Sequence, residues 1–161
     1  VHSLDQIVLS KNPLLLILEG VEKPGNLGAI LRTADAAGVD AVIICDPQTD
    51  FYNPNVIRSS IGCIFTKQVA AATSEDTIQW LKKNNIEILC TYLEASIPYH
   101  TVDFTKPSAI VMGTESTGLT EPWTKNSDAN IIIPMGGKID SMNVSTAAAV
   151  VVFEARRQRG F

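Results

Sequence analysis

Short apolar runs recur along the chain at residues 14–18, 41–45, 86–90, 109–112 and 131–133, and none sustains an alternation of apolar and polar side chains. A strand with one wet face alternates, whereas a run that is apolar throughout is covered on both sides. A weaker sixth run spans 65–71. Helical patterning lies between the runs at 27–37 and 75–84 and after them at 144–159, with shorter stretches at 54–60 and 121–125. Strands and helices that alternate in this order make an α/β domain, a mostly parallel sheet with helices on both faces. The 161 residues suffice for one such domain, and no internal repeat or linker-like stretch divides them.

Composition narrows the functional classes. An apolar fraction of 45% is too high for a disordered segment. No apolar run approaches the ~20 residues of a membrane helix, so no membrane association is expected. The opening residues, Val1-His2-Ser3-Leu4-Asp5, lack the basic and apolar regions of a secretion signal, and without an initiator Met the chain reads as a fragment or a processed form. Cys45, Cys63 and Cys90 are widely spaced, and His2 and His100 stand near no cysteine or acidic cluster. This usage predicts neither disulfide nor metal and points to a reducing cytoplasm. Five Phe, three Tyr and two Trp are too few for a base-stacking platform, and a net charge of -4 opposes nucleic-acid binding through bulk charge.

Residues 144–159 carry valines that would suit a strand. The Ala147-Ala148-Ala149 triplet, the continuation Glu154-Ala155-Arg156-Arg157 and the basic last turn instead predict a helix. Over two turns that helix is apolar on nearly every side, so it must be covered by more than its own sheet. A homodimer interface is the simplest cover, and burial within the same chain is the alternative.

In an open parallel sheet, ligands collect at the carboxyl ends of the strands. Three such ends carry unusual loops: Gly20 to Arg32 after the first run, Met112 to Leu119 after the fourth, and Pro134 to Ser145 after the last. Gly113 and Gly118 have P-loop spacing, but Leu119-Thr120 stands where Lys-Ser/Thr is required. No G-x-G-x-x-G follows a strand, which excludes the nicotinamide fingerprint, and Ser116 lacks the glycine of a nucleophile elbow. Asn26 has the position of a helix N-cap after Pro24-Gly25. In the helix that follows, Ile30, Leu31, Ala34 and Ala37 form the core stripe, so Arg32 points away from the core with Gly28 one turn before it. Glycine inside a helix costs about 1 kcal/mol, which suggests that Gly28 clears space beside Arg32. An i,i+3 pair of Arg32 with Asp35 is the equally weighted alternative.

Taken together, the three loops resemble the signature motifs of the SpoU (TrmH) family, in the SPOUT class of RNA methyltransferases. The first motif is Asn26-x-Gly28-Ala29-Ile30-x-Arg32, and the second Met112-Gly113-x-Glu115-x-x-Gly118. The third runs from Ile133-Pro134-Met135-x-Gly137 through Ser141-Met142-Asn143-Val144-Ser145, with Met142 where the family usually has leucine. Their order and spacing match, and the resemblance covers the chain from about Leu14. It implies an α/β-knot fold, with the C-terminal part threaded into a deep trefoil knot, and a homodimer through the knot region and the last helix. It also implies a SPOUT catalytic domain over residues 1–161, with the N-terminal RNA-recognition domain of larger members absent or truncated.

The activity implied is transfer of a methyl group from S-adenosylmethionine to a ribose 2′-hydroxyl of RNA. Ribosomal RNA is favoured over transfer RNA because the chain resembles the ribosomal branch more closely, including Asn53-Pro54-Asn55-Val56-Ile57-Arg58. By position, the cofactor falls to Thr91, Met112, Gly113, Ile133, Met142 and Val144, and catalysis to Arg32, Asn26, Glu115, Asn143 and Ser145. Asn143 and Ser145 also open the last helix, where capping is their other reading, and Glu115 reads first as an acceptor that organises its loop and only second as a catalytic base. RNA contacts fall to Arg32, Arg58 and Arg156, the last in a basic group with Arg157 and Arg159 that also suits a helix C-terminus; Lys23 joins Arg32 and Arg58 at the expected mouth of the site. A non-catalytic RNA- or cofactor-binding module of the same fold, and a flavodoxin-like phosphate binder, are the alternatives.

Overall fold

A computed structural model of the protein describes residues 2–21, 23–46, 68–114, 117–139 and 142–161. Its strands are β1 (Leu14–Glu19), β2 (Ala41–Cys45), β3 (Gln68–Ala72), β4 (Glu87–Thr91), β5 (Ser96–Pro98), β6 (Ser108–Met112) and β7 (Ala129–Ile132). Its helices are α1 (Pro24–Ala37), α2 (Ser74–Lys83), α3 (Glu121–Asn126) and α4 (Val144–Arg159). The strands form one sheet in the order β3-β2-β1-β6-β4-β7-β5, and every pairing within it is parallel.

The unbroken apolar runs are explained by what covers them. Leu14, Leu16 and Leu18 of β1 face a cluster with Leu27, Ile30, Leu31 and Ala34 of α1 and Val144, Ala148, Val151, Val152 and Ala155 of α4. Leu15 and Ile17 face the opposite way, toward Ile78 and Leu81 of α2 and Trp123 of α3. Each fully buried Leu or Ile contributes about 1.5–3 kcal/mol, so two covered faces require the apolar continuity that the sequence displays. The apolar stripe of α4 thus finds its cover within the chain, against α1 and β6. Phe153 remains 39% exposed on its outer side.

Element boundaries depart from expectation in two places. Helix α1 begins at Pro24 rather than Leu27, with Lys23 as N-cap, so Asn26 sits inside the first turn and does not cap it. Proline at the first helical position is preset in φ and lacks only an N–H that would have no helical partner. Strand β5 was not foreseen: three residues ending in Pro98 at the sheet edge give little periodic signal. The expected helix at 54–60, and Cys63, lie outside the described residues. Among the described residues no helix is long and apolar enough to cross a membrane.

The order of the strands matters most near β7. Strands β4 and β5 are joined by residues 92–95 alone, yet β7, later in the chain, pairs between them. Strand β6 pairs with the other side of β4. The segment from β4 through β5 to β6 therefore surrounds the strand that follows it.

At the far end of the molecule Arg159 secures the close of α4. Its guanidinium donates to the carbonyls of Asn12 (2.6 Å), Phe104 (2.8 Å), Lys106 (2.7 Å) and Pro13 (3.2 Å). Arg157 is held by Glu154 at 2.7 Å. Two of the three arginines in the basic group are thus engaged in structure. Hydrogen bonds from a charged donor contribute about 1.5–3 kcal/mol each, less where they are exposed, as those to Asn12 and Lys106 are. Arg159→Ala is expected to cost about 2 kcal/mol and lower Tm by roughly 4–8 °C. Arg159→Lys should recover little of this in denaturant melts, since an ammonium cannot span four separated carbonyls.

Burial pushes the thiols of Cys45 and Cys90 up to about 12, with weaker opposition from hydrogen bonds to Thr77 and Ser127 respectively. A raised thiol pKa leaves almost no thiolate at pH 8. Mass spectrometry after brief iodoacetamide treatment at that pH should find both unmodified in the folded protein and alkylated once denatured.

Candidate functional site

The carboxyl ends of β4, β6 and β7 lie side by side, with Thr91 in register with Ile131 and Cys90 with Val111. The Thr91 hydroxyl donates to the Val111 carbonyl at 2.9 Å, and the Tyr92 amide to the Ile131 carbonyl at 3.2 Å. Beyond these ends lies a cavity of about 340 Å³. Thr91, Met112, Gly113, Ile133, Met142 and Val144, the six positions expected at the cofactor, all line it. Tyr92, Glu94, Thr117 and Met135 line it too and were not foreseen. Every methionine of the chain is on its wall, which gives the site an adaptable apolar lining.

The loop after β6 roofs this cavity through close backbone contact. The Gly118 amide donates to the Thr114 carbonyl at 3.0 Å, and the Thr117 amide to the Thr114 hydroxyl at 3.1 Å. A Cβ at Gly113 would stand 2.6 Å from the Gly118 carbonyl carbon and 2.9 Å from the Leu119 nitrogen. No larger residue fits there without parting the loop. Gly118 lines the cavity at φ +66°, and a Cβ on it would meet nothing within 4 Å.

A buried carboxylate fastens the far end of the roof. Glu19, 5% exposed at the end of β1, accepts from the Thr120 amide at 2.8 Å, the Thr120 hydroxyl at 2.6 Å and the Ser74 hydroxyl at 2.8 Å. Trp123 Nε1 donates to the same Ser74 oxygen at 2.9 Å. A buried carboxylate is tolerated only when it is bonded in this way. Its signal in the sequence is slight: one acid that ends the run Leu14 to Leu18.

The first and third motifs meet directly. Asn143 Nδ2 donates to Asn26 Oδ1 at 3.2 Å, while Asn143 Oδ1 accepts from the Ser145 amide at 2.9 Å and from the Ser145 hydroxyl. Asn143 is therefore both the N-cap of α4 and the link to α1. Arg32 is exposed on α1 and does not line the cavity. Asp35, its alternative partner, forms no ion pair with it among the described residues. Lys23 is exposed and likewise off the cavity wall. Arg156 lies near the end of α4, about 7.5 Å along the helix past Val151, which lines the cavity, and is not itself on the wall. Glu115 and Arg58 are outside the described residues. No group of three or more His, Cys, Asp or Glu able to hold a metal comes together among the described residues.

A parallel sheet in which β7 passes between β4 and β5, with a ligand-sized cavity at the ends of β4, β6 and β7, is the α/β-knot fold. A family model described as the SpoU rRNA Methylase family matches residues 13–153, and the chain belongs to that family. It is 42% identical over 149 residues to the 23S rRNA (guanosine-2′-O-)-methyltransferase RlmB of Pectobacterium atrosepticum, covering 92% of this chain and 61% of that protein. The tRNA (guanosine(18)-2′-O)-methyltransferase of Escherichia coli is 38% identical over 148 residues, covering 91% of this chain and 64% of that protein. The chain thus spans about three fifths of the length of the curated relatives it matches. The crystal structure of an AdoMet-bound rRNA methyltransferase from Sinorhizobium meliloti superposes with a TM-score of 0.84 at 35% identity, over 93% of this chain and 58% of that one.

Gly113→Ala is expected to destabilise the domain by about 1–3 kcal/mol, because the added methyl meets backbone and not a flexible side chain. Denaturant melts check the stability. Calorimetry with S-adenosylhomocysteine checks the cavity, where binding should fall at least roughly tenfold.

Proposed function

We propose that the chain is the catalytic domain of an S-adenosylmethionine-dependent RNA ribose 2′-O-methyltransferase. Its target is a guanosine, in ribosomal RNA rather than transfer RNA. The observation that carries this reading is the single cavity onto which all six expected cofactor positions converge. Its volume of about 340 Å³, its largely apolar wall and its exposed backbone at three strand ends fit an adenosyl ligand. Relatives named for guanosine 2′-O-methylation, most of them acting on 23S rRNA, support the substrate.

When bound, S-adenosylmethionine supplies a methyl group on a positively charged sulfur. Thr91, Met112, Gly113, Ile133, Met142 and Val144 hold the adenosyl part against the strand ends. Asn26 and Asn143, bonded to each other, fix the start of α1 relative to the third loop, and Ser145 completes that cap. Arg32 grips an RNA phosphate and orients the ribose hydroxyl. A guanidinium is protonated throughout the neutral range, so it stabilises the developing alkoxide and does not serve as base. With Arg32 protonated, the hydroxyl proton would pass to water or to an RNA phosphate. Much of the rate then comes from alignment of the two reactants.

A homodimer through the knot region and the outer side of α4 accounts for the exposure of Phe153, Ile97 and Leu93, which are 39%, 44% and 61% exposed. It also offers Arg156 a place near a neighbouring site. Two buried, unpaired thiols suit a reducing cytoplasm.

Incubation with methyl-tritiated donor and bulk RNA, followed by digestion to nucleosides, should recover label in 2′-O-methylguanosine. Label on a base, or none in RNA, refutes the reading. Arg32→Lys should lower turnover at least roughly tenfold while calorimetry finds donor binding unchanged, since the bidentate fork is lost but the cavity is not.

A further inference from the structure

The wall of the cavity is nearly without charge. Among the described residues that line it, Glu94 is the one Asp, Glu, Lys, Arg or His. It sits at the rim, in the 92–95 turn between β4 and β5, with an exposed side chain. Within the turn Ala95 adopts φ +51°, and the Asn130 side chain donates through Nδ2 to the Glu94 carbonyl at 3.4 Å. Lys23, Arg32 and Lys138 are exposed, and none of them reaches the wall. The field within the cavity, so far as the described residues set it, is that of one negative charge.

The reaction proposed above changes the charge of what occupies such a cavity. S-adenosylmethionine carries a sulfonium, an ammonium and a carboxylate and is a net monocation. Its product, S-adenosylhomocysteine, has lost the sulfonium charge with the methyl group and is neutral overall. Both share the adenosine and the amino-acid ends, so shape alone separates them poorly. A carboxylate beside a partly desolvated cavity separates them by its attraction for the sulfonium charge, which only the donor carries, since the amino-acid end is common to both.

We propose that Glu94 is a specificity-determining residue that favours the cationic methyl donor over the neutral product through its charge at the cavity rim. The inference rests on the donor assigned above and concerns which of two adenosyl ligands is retained, a property distinct from transfer itself. Because Glu94 is exposed, water and salt moderate its pull, and the expected effect is several-fold rather than a hundredfold.

Calorimetry on the full chain tests this with three probes: S-adenosylmethionine, S-adenosylhomocysteine, and sinefungin, in which an ammonium stands where the sulfonium would be. In Glu94→Gln both cationic probes should weaken by about threefold to tenfold, with the neutral product held within about twofold. Glu94→Asp should keep the wild-type preference, and added salt should narrow the gap between probes in the wild type but not in Glu94→Gln. Equal weakening of all three probes would show a merely structural contact and overturn the proposal, as would no change in any of them. Binding of the product serves as the folding control for each variant. If the wild type binds none of the three, it is the donor assignment that fails, an outcome separate from loss of discrimination.

Discussion

Everything at the candidate site depends on the parallel pairing of β7 between β4 and β5. That pairing sets the ends of β4 and β7 level with the end of β6, so that Thr91, Met112 and Ile133 come from distant parts of the chain to one wall. Parallel strands buried on both faces tolerate no polar side chains along their length, which drives the polar backbone groups usable by a ligand to their ends. The cavity is thus a consequence of the strand order, and not of any one loop.

The loops then close what the strands open. Gly113 lets the chain fold back until backbone touches backbone, and Glu19 fixes the far end of the same loop from the core side. Asn143 works at the opposite wall, where one amide side chain both caps α4 and reaches α1. Two motifs that are more than a hundred residues apart meet there through the Asn143–Asn26 hydrogen bond.

Most of the layered architecture was legible from the apolar runs, because burial on both faces imposes a composition that no exposed strand shares. Helix α4 was legible from its alanines, but its cover was not. Both a second subunit and α1 satisfy an all-apolar helix, and only packing distinguishes them. The start of α1 was misplaced because asparagine and Lys-Pro are both acceptable openings, and the proline prevailed. The six cavity positions came from family resemblance, and the structure brings them together. Glu94 and the Glu19–Ser74–Trp123 group had no local pattern to announce them. Arg157 stands three residues after Glu154, a spacing that offers the pair, but nothing beside Arg159 in the sequence reveals the carbonyls that occupy it.

Arg159 spans carbonyls at residues 12–13 and 104–106, next to the starting edges of β1 and β6. The first strand cannot receive its final clasp until the last turn of α4 exists, and the place of β7 is bounded by β4 and β5, which both precede it in the chain. During synthesis the apolar face that β1 and α1 turn toward α4 therefore stays uncovered until residues 144–159 have been made. For this fold, that uncovered apolar face is what chaperones and neighbouring chains would meet before α4 is made.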